Sequence, residues 1–256
     1  MGDVPVPPPP LPASGPEPDG GERVRVLSYN IRSLRDDRAA LARVIRACAP
    51  DLLCLQESPR FWRPAQQAAR LARETGTVVL SGGRSAAGPL LLGRLRATVL
   101  RTGDVALPRT PGLHQRGFAT AVVRIGRAAP FSVTSCHLSL DSAERRDQAG
   151  LLLDHLAAQG VRHGVVGGDF NERPDGPGWR LLAGRLQDGY AVAPWGSELT
   201  SVPGDPHQRI DAVFATPDIQ VLACGVPDHL PTIPPPDLLA ATDHLPVLAV
   251  LRIPPA

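Results

Sequence analysis

The chain has 256 residues, with 27 basic against 25 acidic residues, and is 43% apolar and 20% charged. Every basic residue is arginine, which excludes chemistry built on a lysine amine: P-loop and kinase phosphate binding, Schiff-base aldol chemistry and pyridoxal catalysis. The composition is that of a globular domain, and no stretch reaches the ~20 apolar residues that span a bilayer.

Residues 1–22 hold eight prolines and no periodicity, and read as a disordered, acidic, proline-rich tail outside the fold. The folded domain is placed at residues 23–256. The tail shows neither the basic start nor the apolar stretch of a secretory leader. Cys48, Cys54, Cys136 and Cys224 lie in apolar surroundings without C-x-x-C spacing. Together these predict a reduced, cytoplasmic protein, expected to be a monomer. Four of the 25 acids and no arginine fall in the tail, so the domain itself is net basic and suits an anionic partner.

The elements follow in chain order. Val24, Val26 and Leu27 lead a strand into Ser28-Tyr29-Asn30. Leu41, Val44, Ile45 and Cys48 make a one-faced helix, started near Asp36 or Asp37 and stopped by Pro50. Asp51–Glu57 is a buried strand ending in a carboxylate, and Ser58-Pro59 is expected to open a helix that ends at Gly76. Strands are predicted over Val78–Leu80, Pro89–Leu92, Thr98–Val105, Phe118–Ile125 and Phe131–His137. A helix carrying Ala149, Leu152, Leu153 and Leu156 closes at Gly160, and a strand over Val165–Gly168 ends at Asp169. The last strands are Arg209–Ala215, Ile219–Cys224 and Val247–Ile253. Strands in both halves with helices between them predict an α/β sandwich of two sheets rather than a doubly wound Rossmann sheet.

Polar residues stand at the ends of the apolar strands: Asn30, Glu57, His137, Asp169 with Asn171, Asp211, and Asp243 with His244. Each alone has a plain alternative, as turn residue, surface carboxylate or core histidine. As a set they bring carboxylates, amides and imidazoles to strand ends, where a sandwich can gather them into one cleft. Asn30 and Asn171 are also the chain's only two asparagines.

These stretches resemble the endonuclease/exonuclease/phosphatase superfamily. The matching residues are Ser28-Tyr29-Asn30-Ile31, Leu55-Gln56-Glu57, Cys136-His137-Leu138, Gly168-Asp169-Phe170-Asn171, Arg209-Ile210-Asp211 and Thr242-Asp243-His244-Leu245-Pro246, in family order across residues 24–252. The resemblance implies a four-layer α/β/β/α fold of two packed mixed sheets, and a hydrolase dependent on Mg²⁺ or Mn²⁺. It implies Glu57 as the principal metal ligand with Asn30 and Asp243 beside it, hard oxygens that suit those ions. Asp169 is then the general base on water, with Asn171 orienting Asp169 or the phosphate. His244, paired with Asp211, donates to a phosphoryl oxygen, and His137 acts as acid or transition-state donor. The expected partner is a phosphorylated substrate: a phosphodiester of nucleic acid or of a phospholipid head group first, a small phosphomonoester second. The rival reading is a catalytically silent binding module of the same fold.

Asp-His-Leu-Pro occurs twice, at 228–231 and 243–246. Prolines follow the first copy and a strand pattern follows the second, so His244 is assigned to the site and His229 to a loop. Cys136 and His137 are strand neighbours that point to opposite faces and cannot share a proton. His114, His155, His163 and His207 are expected on the surface, as is Arg116, whose place just before Gly117 and a strand offers a phosphate contact as the alternative. The stretch Gly88–Gly93 lacks the polar residue often found in the superfamily, and no equivalent of the abasic endonucleases' tyrosine is found, which weighs against a DNA-repair role.

Overall fold

Strand alternation decides how the layers stack in the computed structural model, which describes residues 10–256. In chain order the first half contains β1 (Gly15–Pro16), β2 (Glu22–Asn30), α1 (Arg38–Cys48), β3 (Leu52–Gln56), α2 (Pro64–Thr75), β4 (Val78–Gly82), β5 (Leu90–Gly93), β6 (Ala97–Ala106), β7 (Gly117–Ile125) and β8 (Phe131–His137). The second half adds α3 (Ser142–Ala157), β9 (His163–Asp169), α4 (Pro177–Ala183), β10 (Gln187–Asp188), α5 (Gly189–Val192), β11 (Asp211–Ala215), β12 (Gln220–Gly225), α6 (Pro235–Ala241) and β13 (Val247–Ile253).

The first sheet runs β12-β13-β2-β3-β5-β4, with β1 also on β2; the second runs β10-β11-β9-β8-β7-β6. Each has one parallel pair at its centre, β2 with β3 and β8 with β9. A parallel pair needs a crossover, and α1 and α3 supply it. Residues of one parity, Val24, Val26, Leu52 and Cys54, face Val133, Val165 and Val213 of the other sheet. The opposite parity of the first sheet, Leu27, Tyr29, Leu53 and Leu55, takes Leu41, Ile45 and Leu71 of α1 and α2. Phe118, Val166 and Phe214 of the second sheet take Leu152 of α3 and Trp179 of α4. The result is two packed mixed sheets flanked by helices, in four α/β/β/α layers.

All four central strands end at the same edge. Towards that edge the inter-sheet layer turns polar. Gln56 Nε2 donates to Cys54 O at 2.8 Å and to Ser135 Oγ at 3.2 Å, and Ser135 Oγ donates across the sandwich to Leu55 O at 2.9 Å. The sheets are also in close contact here. A Cβ on Gly167 of β9 would sit 2.7 Å from Cys54 Cβ and 3.2 Å from Ser28 Cβ, so only hydrogen fits.

Several expectations are corrected. Residues 1–9 of the expected tail lie outside the described residues, but residues 10–22 join the fold. Gly15 and Pro16 pair with Arg23 and Glu22. Arg25 donates to the Pro12 carbonyl at 3.0 and 3.2 Å, and Ser14 Oγ donates to Asp51 Oδ2 at 2.6 Å. A proline-rich strand has carbonyls to satisfy and few N–H groups, and the Arg25 fork meets that need. The helix expected from Ser58 begins six residues later, at Pro64, because Ser58 spends its N–H and hydroxyl on Gly88 O (3.0 and 2.7 Å). Of the histidines expected on the surface, His163 is buried and His155 is half-buried against Thr120 Oγ1 at 2.8 Å. The short α4, α5 and α6 had no helical period long enough to read.

Gly167→Ala is expected to cost about 1–3 kcal/mol by overpacking, measured as a shift in the urea midpoint. A second expectation concerns pH. Burial lowers the pKa of both His155 and His163, so the unfolded chain takes up protons more readily than the fold. Their contribution is complete above the ordinary imidazole value of ~6.5 and is lost as pH falls through it. The urea midpoint should therefore drop between about pH 7 and about pH 5, and less so in the His155→Gln/His163→Gln variant.

Candidate active site

The parity that buries valines between the sheets also aims the polar residues at their ends. Asn30 continues Val24, Val26 and Ser28 on β2, and Asp169 continues Val165 and Gly167 on β9. In the second sheet His137, Asp169 and Asp211 lie side by side in register. Glu57 directly follows β3 and Asn171 lies two residues beyond β9, both in left-handed backbone with φ of 53° and 49°. Asparagine tolerates that region, whereas a glutamate enters it at a cost.

Asp169 is the hub. Asn30 Nδ2, from the other sheet, donates to Asp169 Oδ2 at 2.9 Å and to Glu57 Oε1 at 3.1 Å. The Asn171 N–H donates to Asp169 Oδ1 at 2.9 Å, while its side-chain amide is tied to Leu138 O at 2.9 Å. Two imidazoles flank the carboxylate, His137 Nε2 at 3.4 Å and His244 Nε2 at 3.8 Å from Asp169 Oδ2. His244 Nδ1 meets Asp211 Oδ2 at 2.9 Å. Thr200 Oγ1 steadies that turn by accepting the Ile210 and Asp211 N–H groups, both at 3.2 Å.

The two histidines are tuned in opposite directions. Burial drives His137 down to about 3 against the attraction of Asp169, so its ring is neutral. Burial also disfavours the His244 cation, but the charge and hydrogen bond of Asp211, helped by Asp169 and Asp243, raise it to about 10. His244 is thus a cation at neutral pH.

All eight expected residues are gathered near this edge, but their grouping differs from expectation in two respects. Asn30 turns its N–H groups, not its carbonyl, towards the carboxylates, and its Oδ1 accepts the Arg32 N–H at 3.1 Å. It bridges Glu57 and Asp169 here rather than offering an oxygen. Asp243 stands at the half-exposed rim, paired with Arg32 Nε at 3.1 Å. Among the described residues the tight group of potential donors is Asp169, Asp211 and His244, with one atom of each within 4.8 Å of the others. His244 commits its Nδ1 to Asp211 Oδ2, so the two form a dyad. Hard oxygens remain for a divalent ion: Glu57, Asp169, and Asp211 Oδ1, which is buried with no hydrogen-bond partner. That donor set fits Mg²⁺ or Mn²⁺.

The cleft above these groups has a volume of about 340 Å³, and Arg35, Arg60 and Arg116 stand among its walls. Arg116, expected on the surface, is half-buried and faces the charges of Asp169 and Glu57; burial lowers its pKa, and its Nε has no partner. Its place immediately before β7 was the only sequence signal. Glu172 was also missed. Buried beside Asn171, it accepts Trp179 N at 2.6 Å and Arg145 Nε at 3.1 Å and so fixes the turn carrying Asp169. A Cβ on Gly176 or Gly178 would clash with it, so those glycines were its signal. His229 lies away from the cleft near Asp228, 3.7 Å from its carboxylate.

The profile of the endonuclease/exonuclease/phosphatase family matches residues 27–244, a span that takes in all eight expected site residues. The chain belongs to this family. Among solved structures it resembles a family member from Bacteroides vulgatus (21% identity, 90% of this chain and 99% of that one, TM-score 0.75). It also resembles a mannosyl-6-phosphatase from Bacteroides thetaiotaomicron (18%, 89% and 99%, TM-score 0.74). A humanized D. rerio TDP2 is similar over 90% of this chain and 98% of its own (17%, TM-score 0.65). At these identities the likeness establishes the fold. No curated protein matches the sequence. Members of the family are phosphoester hydrolases.

If His244 rather than His229 serves the family's chemistry, His244→Ala should reduce metal-stimulated phosphoester hydrolysis by about 10²–10⁴-fold while His229→Ala leaves it unchanged. Equal rates in the two variants would overturn the assignment.

Proposed function

We propose that this chain is a divalent-metal-dependent phosphodiesterase acting on nucleic acid or on a phospholipid head group, with Asp169 as the base for an in-line water. The observation that carries the reading is the setting of Asp169. It is held from the opposite sheet by Asn30 and from its own turn by Asn171, with the imidazoles of His137 and His244 within 4 Å of its Oδ2.

Each residue has work that suits its state. Asp169 accepts the proton of the attacking water, and its two amide contacts fix the lone pair that receives it. His244, charged and braced by Asp211, donates from Nε2 to a phosphoryl oxygen as negative charge grows. His137, neutral and close to Asp169, offers a single N–H without adding a second cation. Arg116 and Arg60 line the approach and attract the phosphate anion. Glu57 is the carboxylate that would hold the ion first, with the unpartnered Asp211 Oδ1 and, from the rim, Asp243 as further oxygens, and Asn30 stands between Glu57 and Asp169. Bound there, Mg²⁺ or Mn²⁺ supplies positive charge for the phosphoryl oxygens.

The volume of the cleft suits one phosphoester unit rather than a long stretch of polymer. A phosphomonoester is the second reading, supported by the likeness to the mannosyl-6-phosphatase. Among the described residues no helix is long and apolar enough to cross a membrane. All four cysteines are buried and unpaired, which supports a reducing, cytoplasmic setting.

The test is hydrolysis of a soluble phosphodiester and a phosphomonoester, each with Mg²⁺, Mn²⁺ or chelator. Asp169→Asn should lower kcat by about 10²–10⁴-fold, and Glu57→Ala should remove the response to metal. Turnover that ignores chelator, or none on either substrate, would sink the reading.

A further inference from the structure

The chain has five phenylalanines and three tryptophans. Phe118, Phe131, Phe170 and Phe214 are buried at 1% exposure or less, and Trp179 and Trp195 at 2% and 7%. The remaining two are neighbours, Phe61 and Trp62, exposed at 78% and 79%. They occupy the loop between β3 and α2, directly after Glu57, and Phe61 lines the cleft. A fold that encloses six such rings and leaves two adjacent ones in water beside its active cleft forgoes substantial apolar burial at one place.

The loop is fixed rather than frayed. Ser58 is bound to Gly88 O at its start, and at its end Gln67 Nε2 donates to Trp62 O at 2.8 Å. Between these ties Trp62 and Arg63 hold φ of 42° and 55°, a region that non-glycine residues enter at a cost. Arginines bracket the rings: the Arg60 guanidinium lies 5.8 Å from the Phe61 centroid and that of Arg63 lies 5.6 Å from the Trp62 centroid. Leu140, also lining the cleft, is 70% exposed.

We propose that Phe61 and Trp62 form a tip that inserts into an anionic phospholipid surface and seats the cleft on it, so that the phosphoester is taken from that surface. This rests on the phosphoesterase reading and chooses the phospholipid among its substrates. Aromatic rings partition into the membrane interface, and flanking arginines are drawn to anionic head groups. Stacking on nucleic-acid bases is the weaker explanation. Stacking platforms follow the strand as a row of open rings, whereas here there are two rings, each already shared with an arginine. The third apolar group at the cleft is a leucine, which enters hydrocarbon but offers a base no π-face.

The intact chain is sedimented with vesicles of phosphatidylcholine alone and of phosphatidylcholine with phosphatidylserine. It should bind the anionic vesicles with a blue shift in fluorescence, because Trp62 is the one exposed tryptophan of the three. Phe61→Ser/Trp62→Ser should weaken binding about tenfold or more. Arg60→Gln and Arg63→Gln should each weaken it about fivefold and reduce its salt dependence. The proposal is overturned if the intact chain ignores anionic vesicles, if the aromatic double variant binds as well, or if that variant loses only affinity for single-stranded oligonucleotide. Vesicle binding needs no turnover. A chain that hydrolyses a soluble phosphodiester but ignores vesicles fails this inference alone, and one that binds vesicles but hydrolyses nothing fails the phosphoesterase reading alone.

Discussion

At the active edge of the sandwich a hydrogen bond joins the two sheets through the site itself, from Asn30 Nδ2 of the first sheet to Asp169 Oδ2 of the second. The bond is possible because β9 carries glycine at 167, the one side chain that leaves room beside Cys54 and Ser28. Sheets in a sandwich pack about 10 Å apart when side chains fill the gap. Bringing a short amide against a carboxylate requires that gap to narrow locally. The polar layer of Gln56 and Ser135 just beneath gives the narrowed edge hydrogen bonds in place of the apolar filling found deeper in.

Around that bond the electrostatics divide cleanly. Glu57, Asp169, Asp211 and Asp243 place four carboxylates within a small region, and such a region is sustained only by counter-charge or by metal. Arg32 meets Asp243, and the His244 cation meets Asp211. His137 is kept neutral by burial despite facing the same carboxylate. One histidine therefore carries charge and the other does not, although both sit within 4 Å of Asp169. The difference arises from Asp211, which only His244 touches.

Much of this was legible in the amino-acid string. Asn30, His137 and Asp169 are readable because a strand's alternation continues to its last residue, Asp211 because the same alternation begins at the first residue of its strand, and Glu57 because it directly follows an apolar run. The illegible parts depend on contacts far apart in sequence. Ser58 had the look of a helix cap, but its hydrogen bonds go to Gly88 across a neighbouring strand. Arg116 resembled any surface arginine until β7 placed it over Asp169 and Glu57. The proline-rich segment before residue 23 had no period to read, and what anchors it is the side chain of Arg25. Asp243 follows the α6 helix into the site region, but its pairing with Arg32 depends on a left-handed turn, with Arg32 at φ of 40°, that no local pattern announces.

The placement of these groups at strand termini also bears on how such a protein can diverge. Length changes farther along the connections leave Asn30, His137, Asp169 and Asp211 where the sheet ladders put them, so those parts of the connections are free to be replaced. Inside a strand the opposite holds. Slipping β9 by one position would turn Gly168 inward and carry Asp169 towards α3, leaving hydrogen where a carboxylate stood. Insertions and deletions should therefore be absorbed between the strands and excluded within them. Variety in substrate can accumulate in the connections while the chemistry stays fixed by register.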